Sequence, residues 1–555
     1  MSNRAWGEAI IESLCRLGAN RFFLSPGARS APLAAALATR DVTTHYDERG
    51  MAFAALGWAM STGRPAVCVT TSGSAVANLL PACVEAFHSN VPLVLLTADR
   101  PPELRGTGAN QTIQQPGIFG GFVRQAVDLP CAGDAAALEH LSLDISKALE
   151  IATGDHPGPV HLNVPIREPL LERDIGNVPQ EHIARPTRKS EDFEWPQGFD
   201  FGRFVSGRGI VVVGRLPARE QEHVGVIKKL AARLGWPLVA DAASGARLMP
   251  GIIRHVDWIL QRQDTPVPDR MMHFGGALVS KRLAKWLAAC RGDDCLQVRM
   301  FPERLDPWEQ KPVVIRVGID KFCRALVGAS LPTVASSWID SWRVADDAVG
   351  ASLDLILSRS AALDEPSILR SVARAAAATS SPLFLGNSMP IRDFDSSVDA
   401  ISNLVVKVFA NRGASGIDGN IATVAGVAMG SGSPVLAVMG DLAALHDLNS
   451  LPLLQGLPVT LIVINNGGGG IFRFLPIEVE ERLLETPHAW NFEGAAAQFG
   501  IPYFRVASRM DFEHLLSVNF PGPRILECRT DRAANHALHL KIAESCRALP
   551  LSWTT

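Results

Sequence analysis

Two polar strings in the last third of the chain each follow an apolar run that is typical of a buried strand. Asp441 comes after residues 435–439, and Asn466 comes after residues 461–464 and precedes the glycines at 467–470. Neighbouring parallel strands end at the same sheet edge, so these side chains should meet there. Their oxygens suit Mg²⁺, while glycines and a following helix N-terminus suit a phosphate. The pattern predicts a metal–diphosphate site, although each string alone is also typical of an ordinary turn.

A carboxylate also stands at the entry to a predicted helix in the first part of the chain. Glu48 follows a strand end at 43–46 and precedes a helical apolar pattern that starts at Met51. A glutamate there commonly stabilises the helix through its dipole. It is equally suited to general acid–base catalysis, and the residues alone leave both roles open.

The elements that must position these residues alternate between apolar runs and helical patterns, which predicts an α/β protein with parallel sheets. We predict three doubly wound parallel-sheet domains at 1–183, 184–345 and 346–555. A polar segment at 184–200 is a candidate linker, and the region 328–365 is a second connection that is expected to be partly helical. The middle domain has no GxGxxG fingerprint and is predicted to be structural. The strand candidates are 21–24, 66–70, 93–97, 160–164, 209–213, 237–240, 271–274, 383–385, 434–439 and 458–464.

Composition excludes several classes of protein. The chain has 555 residues, with 53 Lys and Arg against 56 Asp and Glu, so no basic excess points to nucleic acid. The longest uncharged apolar stretch, 421–440, is interrupted by a predicted turn at 431–434, so we expect no membrane span. The nine cysteines form no CxxC motif, and residues 1–18 do not resemble a signal peptide. These features favour a cytoplasmic protein.

Longer strings around these residues resemble the MenD family of thiamine diphosphate (ThDP) enzymes. GD followed about 25 residues later by NN is the metal–diphosphate signature of ThDP enzymes. The resemblance covers most of the chain and is weakest in the middle block. Two departures are Ala28, where the family commonly has Ser, and Gly467, where it often has Asn. The matching strings are SPGARSAPL (25–33), DERG (47–50), TTSGSAVAN (70–78), TADRPPELR (97–105), GANQTI (108–113), GNS (386–388) with Arg392, NRGASGIDG (411–419), GDLAALHDLN (440–449) and NNGGGGIF (465–472).

The resemblance implies ThDP as cofactor, together with Mg²⁺ or Mn²⁺. By this resemblance Asp441, the Asn466 side chain and the Gly468 carbonyl bind the metal. Glu48 is the catalytic carboxyl group that hydrogen-bonds N1′ of the aminopyrimidine ring. Ser388 and Ile417 are further expected contacts of the cofactor.

The resemblance also implies the substrates and the reaction. The enzyme decarboxylates 2-oxoglutarate and adds the resulting succinyl-semialdehyde unit to isochorismate in a 1,4 sense. The product is 2-succinyl-5-enolpyruvyl-6-hydroxy-3-cyclohexene-1-carboxylate, on the route to menaquinone or phylloquinone. Both substrates are dicarboxylates, which guanidinium groups pair with well, although each arginine alone is also typical of a solvated surface. The expected substrate residues are Arg29, Arg100, Asn110, Gln111, Arg392, Arg412, Ile471, Phe472 and Leu475.

In the superfamily ThDP lies between the pyrimidine (Pyr) domain of one subunit and the diphosphate (PP) domain of another, so we expect a homodimer or homotetramer with intersubunit active sites. Two alternatives remain at this point. The first is a ThDP carboligase of the acetohydroxyacid synthase type, which would favour pyruvate and bind a flavin; the four arginines argue for a dicarboxylate instead. The second is a non-catalytic ThDP-binding protein, against which the retention of Glu48, Asp441 and Asn466 argues.

Overall fold

Parallel strands alternate with helices throughout the residues that the computed structural model describes, which are 2–133, 137–171, 195–327, 336–359 and 362–553. The predicted linker at 184–200 lies outside these residues up to position 194, and so do positions 328–335 of the second connection. The strands are β1 (Arg21–Leu24), β2 (Val42–Thr44), β3 (Ala66–Thr70), β4 (Leu93–Asp99), β5 (Gln125–Asp128), β6 (Pro159–Pro165), β7 (Gly209–Val213), β8 (Leu238–Ala240), β9 (Arg270–Phe274), β10 (Cys295–Arg299), β11 (Val313–Arg316), β12 (Leu383–Leu385), β13 (Val408–Phe409), β14 (Val435–Gly440), β15 (Val459–Asn465), β16 (Tyr503–Val506) and β17 (Arg524–Arg529).

Helices connect most of these strands. The α-helices are α1 (Asn3–Arg16), α2 (Ala31–Ala36), α3 (Glu48–Thr62), α4 (Ser74–Ala77), α5 (Leu80–Ser89), α6 (Ala137–Thr153), α7 (Phe201–Phe204), α8 (Ala218–Gln221), α9 (Val224–Leu234), α10 (Val256–Ile259), α11 (Lys281–Leu287), α12 (Ile319–Val327), α13 (Ser336–Ser358), α14 (Glu365–Thr379), α15 (Met389–Ser397), α16 (Asn420–Ser431), α17 (Asp441–His446), α18 (Glu481–Leu484), α19 (Glu493–Gln498), α20 (Arg509–Ser517) and α21 (Arg532–Ala548). Short 3₁₀ helices include Ala28–Ser30 and Gly470–Phe474.

The chain divides into two units, the first of which comprises residues 1–190, 411–432 and 445–457. Its sheet is parallel, with the strand order β2-β1-β3-β4-β6-β5. Every residue of β3, β4 and β6 is buried, as expected of parallel strands with both faces covered. The strand order reverses between β1 and β3, so the turns that follow these two strands lie at the point where doubly wound sheets bind ligands.

Two helices of the first unit, α3 and α16, cross with their backbones in contact. A Cβ atom placed on Gly57 would lie 2.1 Å from the Thr423 carbonyl oxygen, and one on Gly426 would lie 2.0 Å from that of Ala54. Only glycine permits this approach. The helix that begins at Glu48 is therefore fixed directly against α16.

The second unit comprises residues 191–410, 433–444 and 458–555 and contains two parallel sheets in the described part of the chain. One has the order β11-β10-β9-β7-β8, and the other has the order β13-β12-β14-β15-β17-β16. Apolar clusters pack on these sheets, with Trp236 and Phe274 in one and Leu385 and Phe394 in another. The predicted α/β class with parallel sheets is confirmed.

The ten strand candidates are all strands, with ends within two residues of those predicted. The region 328–365 contains α13, as expected, within its described part. The helix predicted after the glycine run is wrong in type: residues Gly470–Phe474 form a five-residue 3₁₀ helix. Among the helices that the structure describes, none is both long enough and apolar enough to cross a membrane.

Candidate active site

The predicted metal residues lie at one sheet edge of the second unit. Strands β14 and β15 are paired in parallel with Gly440 opposite Ile464, so Asp441 and Asn466 follow neighbouring strand ends. Strand β12 pairs with β14 on the other side, and the strand order reverses between these two. Ser388, which follows β12, is therefore at the same edge. This is the switch point at which doubly wound sheets bind ligands.

The Asp441 carboxylate is buried and accepts hydrogen bonds from three backbone amides. Its Oδ2 accepts from Gly467 N at 2.8 Å and Gly468 N at 2.9 Å, and its Oδ1 accepts from Leu442 N at 2.7 Å. Burial raises the pKa of the Asp441 carboxyl, while the neighbouring His488 and these amides act in the opposite direction. The carboxylate thus holds the glycine turn against the end of β14.

The two consecutive asparagines at the end of β15 differ in which side-chain atoms have hydrogen-bond partners. Asn465 donates to Glu527 Oε1 at 2.8 Å and to the Trp490 carbonyl at 2.9 Å, and its oxygen accepts weakly from Gly467 N at 3.3 Å. Asn466 donates to Glu365 Oε1 at 3.0 Å, whereas its Oδ1 is buried without a hydrogen-bond partner among the described residues. A buried amide oxygen in this position calls for a partner, and a hard cation fits it.

The third predicted metal ligand, Gly468, lies in a turn that requires glycine. Its φ is +147°, and a Cβ atom there would lie 2.5 Å from the Glu485 carbonyl oxygen. The Gly468 carbonyl accepts from Gly470 N at 3.0 Å. Arg532 donates to the Gly467 carbonyl at 2.8 Å, which ties the turn to α21.

His488 also lies at this edge, and sequence reasoning missed it. Its buried Nε2 is 3.2 Å from Asp441 Oδ2, and its ring stacks on Trp490 with 5.1 Å between centroids. The residue lies in a loop between α18 and α19, and no motif or spacing distinguishes it from other histidines. Glu365 was also missed, because no motif or spacing distinguishes it from other glutamates.

Glu48 is the first residue of α3 and is half-buried. The preceding Asp47 caps this helix by accepting from Arg49 N at 3.0 Å and Gly50 N at 3.4 Å. Glu48 Oε2 accepts instead from the Asn78 side chain at 3.3 Å. The cap is therefore provided without Glu48, while its place in the first turn still suits the helix dipole, so both roles that the sequence left open are compatible with the structure.

Two of the predicted substrate residues meet at Ser72 in the first unit, and a third, Arg29, lies near enough to interact electrostatically with one of them. Arg100 donates to the Ser72 hydroxyl, and the Gln111 side chain donates to the Ser72 carbonyl at 2.9 Å. Arg29 is buried and donates to the Ile166 carbonyl at 2.9 Å. Burial lowers the pKa of Arg100, and the charge of the nearby Arg29 acts in the same direction.

Asn110 is exposed in the loop beside this group. Ser72 stands in a recognised string, but sequence reasoning assigned it no role, because a serine among turn residues has no distinguishing spacing. In the structure it holds both Arg100 and Gln111.

The segment that carries Arg412 and Ile417 is anchored to α5 of the same unit. The buried Glu85 carboxylate accepts from Gly413 N and from Ala414 N, each at 2.7 Å. Arg412 is half-buried, and Ile417 is 38% exposed. A cavity of about 300 Å³ adjoins this segment, with Phe53, Leu80, Val84, Glu85, Gly416 and Asp418 among its lining residues.

The remaining predicted residues lie in the second unit. Ser388 precedes α15 with a φ of +74°, a conformation that is costly for a residue other than glycine and is frequent at functional sites. The Arg392 guanidinium donates to the Ser388 carbonyl. Ile471 and Phe472 are partly buried in the 3₁₀ helix, and Leu475 is 39% exposed.

The fold, the residues around Asp441 at one sheet edge and the residues around Ser72 are those of a thiamine diphosphate (thiamine pyrophosphate) enzyme. Three family models match: "Thiamine pyrophosphate enzyme, N-terminal TPP binding domain" over residues 4–118, "Middle domain of thiamine pyrophosphate" over 184–385, and "Thiamine pyrophosphate enzyme, C-terminal TPP binding domain" over 406–528. The crystal structure of benzoylformate decarboxylase from Polynucleobacter necessarius has a similar fold, with a TM-score of 0.74 at 14% identity over 96% of this chain and 99% of that one.

Curated relatives narrow the class to one family. The 2-succinyl-5-enolpyruvyl-6-hydroxy-3-cyclohexene-1-carboxylate synthase of Rubrobacter xylanophilus is 41% identical, covering 98% of both chains. Those of Salinibacter ruber and Chlorobium phaeobacteroides are each 38% identical, over 97% and 98% of this chain and 96% and 97% of the relatives. The chain belongs to the family of these synthases, the MenD family.

Proposed function

We propose that this chain decarboxylates 2-oxoglutarate and adds the remaining four-carbon unit to isochorismate in a 1,4 sense. The product is 2-succinyl-5-enolpyruvyl-6-hydroxy-3-cyclohexene-1-carboxylate, for which the relatives at 38–41% identity are named. One structural observation carries the proposal. The Asp441 carboxylate and the Asn466 side-chain oxygen lie at the same switch point of a parallel sheet, and this oxygen has no hydrogen-bond partner among the described residues. The pathway is menaquinone or phylloquinone biosynthesis.

Asp441, the Asn466 oxygen and the Gly468 carbonyl would hold Mg²⁺ or Mn²⁺, with Ser388 beside them at the same edge. A carboxylate and two neutral oxygens leave positions for the diphosphate oxygens and water, as Mg²⁺ prefers. The amides of the glycine turn bind Asp441, and the absence of side chains in the turn would let the backbone approach the diphosphate. ThDP, when bound, supplies the electron sink that the loss of CO₂ requires.

Glu48 would hold and return the proton at N1′ of the aminopyrimidine ring. Its helix is capped by Asp47, which leaves the Glu48 carboxylate available for this role. The contact with Asn78 keeps the side chain oriented until the cofactor binds. Ile417, exposed in its anchored segment, is the proposed apolar support for the cofactor.

The arginines would bind the substrate carboxylates, because a guanidinium presents paired donors to a carboxylate. Arg29 and Arg100 lie close enough that their charges interact. Glu168, an exposed carboxylate, pairs with Arg29 at 3.1 Å, and the two cations together would favour an anionic ligand. Asn110 and Gln111 would add neutral hydrogen bonds, with Arg392 and Arg412 as further carboxylate partners. Ile471, Phe472 and Leu475 would form the apolar wall that excludes water.

The assembly that follows is a homodimer or homotetramer with Glu48 of one subunit and Asp441 of another at each active site. The domains would be a Pyr domain at 1–183, a structural central domain at 184–345 and a PP domain at 346–555. The family models that match at 4–118 and 406–528 support the two outer assignments. A cytoplasmic location stays a prediction.

The test is to incubate the protein with ThDP, Mg²⁺, 2-oxoglutarate and isochorismate and to follow isochorismate loss and product mass. We expect both signals with the parent chain. In the Glu48→Gln variant we expect ThDP to bind while turnover falls by about 10²–10⁴-fold, as for the loss of a general acid–base group. Glu150→Gln, at an exposed position of α6, is the control and should keep full turnover.

Failure of the parent chain to consume isochorismate would contradict the proposed reaction. Consumption of pyruvate, with flavin absorbance in the purified protein, would instead favour the acetohydroxyacid synthase type. Unchanged turnover in Glu48→Gln would contradict the role of that residue alone.

A further inference from the structure

The Asn466 side-chain nitrogen has a hydrogen-bond partner among the described residues, whereas its side-chain oxygen has none. Its nitrogen donates to Glu365 Oε1 at 3.0 Å, across 101 positions of sequence, while its oxygen has no partner in the described part of the chain. We propose that Glu365 is a positioning residue that turns the Asn466 oxygen toward the cation. The inference rests on the metal site proposed above.

An asparagine amide alone does not decide which end faces a cation. Its oxygen and nitrogen are close in size, and rotation by half a turn exchanges them. The nitrogen is a donor and repels a cation, so an amide in the wrong orientation removes a ligand. Glu365 Oε1 also accepts from the Thr530 hydroxyl at 3.2 Å, so this oxygen acts as an acceptor toward both neighbours.

Acceptor chemistry at Glu365 therefore selects one orientation of Asn466. In the opposite orientation two oxygens would face each other at hydrogen-bond distance, which is repulsive. Protonation of this carboxyl would leave Oε1 an acceptor. The proton can lie on Oε2, which has no hydrogen-bond partner within the described chain. Oε1 then remains the acceptor for Asn466.

The position of Glu365 in the fold keeps it rigid. It is the first residue of α14 and is fully buried, while Asp364 provides the helix cap by accepting from Ser367 N at 2.8 Å. Burying a carboxylate is costly unless it is well hydrogen-bonded. Asp364 provides the cap, and the hydrogen bond from Asn466 is one of the two that the described residues donate to the Glu365 carboxyl.

Asn465 provides an internal comparison. It too donates to a buried glutamate, Glu527, but it also donates to the Trp490 carbonyl, and its oxygen accepts from Gly467 N. All its polar atoms are used within the protein. Of the two asparagines, only Asn466 is held by its nitrogen alone.

The test measures Mn²⁺ affinity from the electron paramagnetic resonance signal of free Mn²⁺, with ThDP present. We expect Glu365→Leu, which removes the acceptor, to weaken Mn²⁺ binding by about 10–100-fold, the usual cost of losing a residue that orients a ligand. Saturating Mn²⁺ should restore most of the turnover. Glu365→Gln keeps a carbonyl oxygen that can take the place of Oε1, so it should bind Mn²⁺ nearly as the parent does. Thr530→Val, which removes the other hydrogen bond to Glu365, is the matched control and should bind Mn²⁺ as the parent does.

A second background separates orientation from general damage. Asn466→Asp places an oxygen at both positions, so no orientation is needed. In that background Glu365→Leu should not weaken Mn²⁺ binding, and it should strengthen binding by removing repulsion between two carboxylates. A merely structural role for Glu365 would weaken Mn²⁺ binding in both backgrounds, and this result would overturn the proposal.

Asp441→Asn is measured in parallel to distinguish the two levels of inference. If the parent chain binds no Mn²⁺, or Asp441→Asn binds it equally well, the metal site itself is wrong. If Asp441→Asn loses Mn²⁺ while Glu365→Leu retains the parent affinity, the metal site stands and only the role of Glu365 is wrong.

Discussion

Arg100, a proposed substrate residue, is held by a single buried hydroxyl. Its guanidinium donates to Ser72, whose carbonyl also accepts from Gln111. Arg29 lies near enough to lower the pKa of Arg100. Glu168 already pairs with Arg29 at 3.1 Å, and the proposed dicarboxylate substrate would further offset the repulsion between the two guanidinium groups.

Arg100→Lys should therefore reduce kcat/KM although it keeps the charge. Lysine lacks the planar pair of donors that matches a carboxylate. Loss of one hydrogen bond to a charged group, worth about 1.5–3 kcal/mol, corresponds to a decrease of about 10–100-fold. The measurement is kcat/KM for 2-oxoglutarate and for isochorismate, and we expect at least one to fall.

The control for this substitution is Arg64→Lys, at an exposed arginine that donates to Asn20. It should leave both kcat/KM values unchanged. Equal values for Arg100→Lys and the parent would show that Arg100 does not contact a substrate carboxylate.

At the residue scale the sequence predicts those positions whose spacing reflects strand ends. Asp441 and Asn466 follow adjacent strands, and the structure places both at one sheet edge. Glu365 reaches Asn466 across 101 positions, and His488 reaches Asp441 from a loop. Such contacts depend on how distant segments pack, which no local pattern records. The roles of the site residues stay predictions.

At the element scale, the crossing of α3 and α16 depends on two glycines. A Cβ atom added to Gly57 or to Gly426 would lie about 2 Å from a backbone carbonyl oxygen of the other helix. Backbone cannot move aside as the end of a flexible side chain can. The crossing should therefore tolerate no added carbon.

Gly57→Ala and Gly426→Ala should each lower the free energy of unfolding by about 1–3 kcal/mol or more, the usual cost of overpacking. Thermal unfolding followed by calorimetry measures the effect. Gly225→Ala is the control, because Gly225 lies in α9, and among the described residues no atom beyond its chain neighbours and its own helix backbone lies within 4 Å of the added carbon. It should stabilise the chain by up to about 1 kcal/mol through helix propensity. Equal transition temperatures for all three variants would contradict the tight crossing.

The strands that sequence reasoning missed are β5, β10, β11, β13, β16 and β17. Several are edge strands, and β13 has only two residues. The central strand β17 was missed because it contains Arg524 and Glu527, which interrupt the apolar run. Both are buried with partners, Arg524 with Thr460 and Glu527 with Asn465 and Tyr503. Tertiary pairing, which sequence does not display, made these charges compatible with a buried strand.

At the scale of the whole molecule, two of the sheets repeat one design. The orders β2-β1-β3-β4-β6-β5 and β13-β12-β14-β15-β17-β16 are the same when strands are counted from the start of each sheet. No internal repeat is visible in the sequence, so this equivalence emerges only from the strand pairing. The proposed Pyr and PP domains are thus similar in topology and differ in the side chains at their switch points.

If Glu48 and Asp441 act in one site from different subunits, two inactive variants should complement each other. Mixing Glu48→Gln with Asp441→Asn and allowing subunits to exchange should restore about a quarter of parent activity, because half of the dimers are mixed and each mixed dimer has one intact site. Specific activity before and after exchange is the measurement.

The control is a mixture of Glu48→Gln with Glu48→Ala, which can form no intact site and should stay inactive. Mass spectrometry of intact assemblies reports whether mixed species formed. Mixed Glu48→Gln and Asp441→Asn assemblies that remain inactive would show that the site does not combine these residues from two chains.

The Asn466–Gly467 step has a consequence for the chemical lifetime of the protein. Asparagine followed by glycine is prone to deamidation, because the unhindered glycine nitrogen attacks the side-chain carbonyl to form a cyclic imide. In the fold that nitrogen is engaged with Asp441 Oδ2 at 2.8 Å, and the Asn466 nitrogen is engaged with Glu365. We expect Asn466 to deamidate slowly in the folded chain, whereas in the denatured chain it converts to aspartate and isoaspartate.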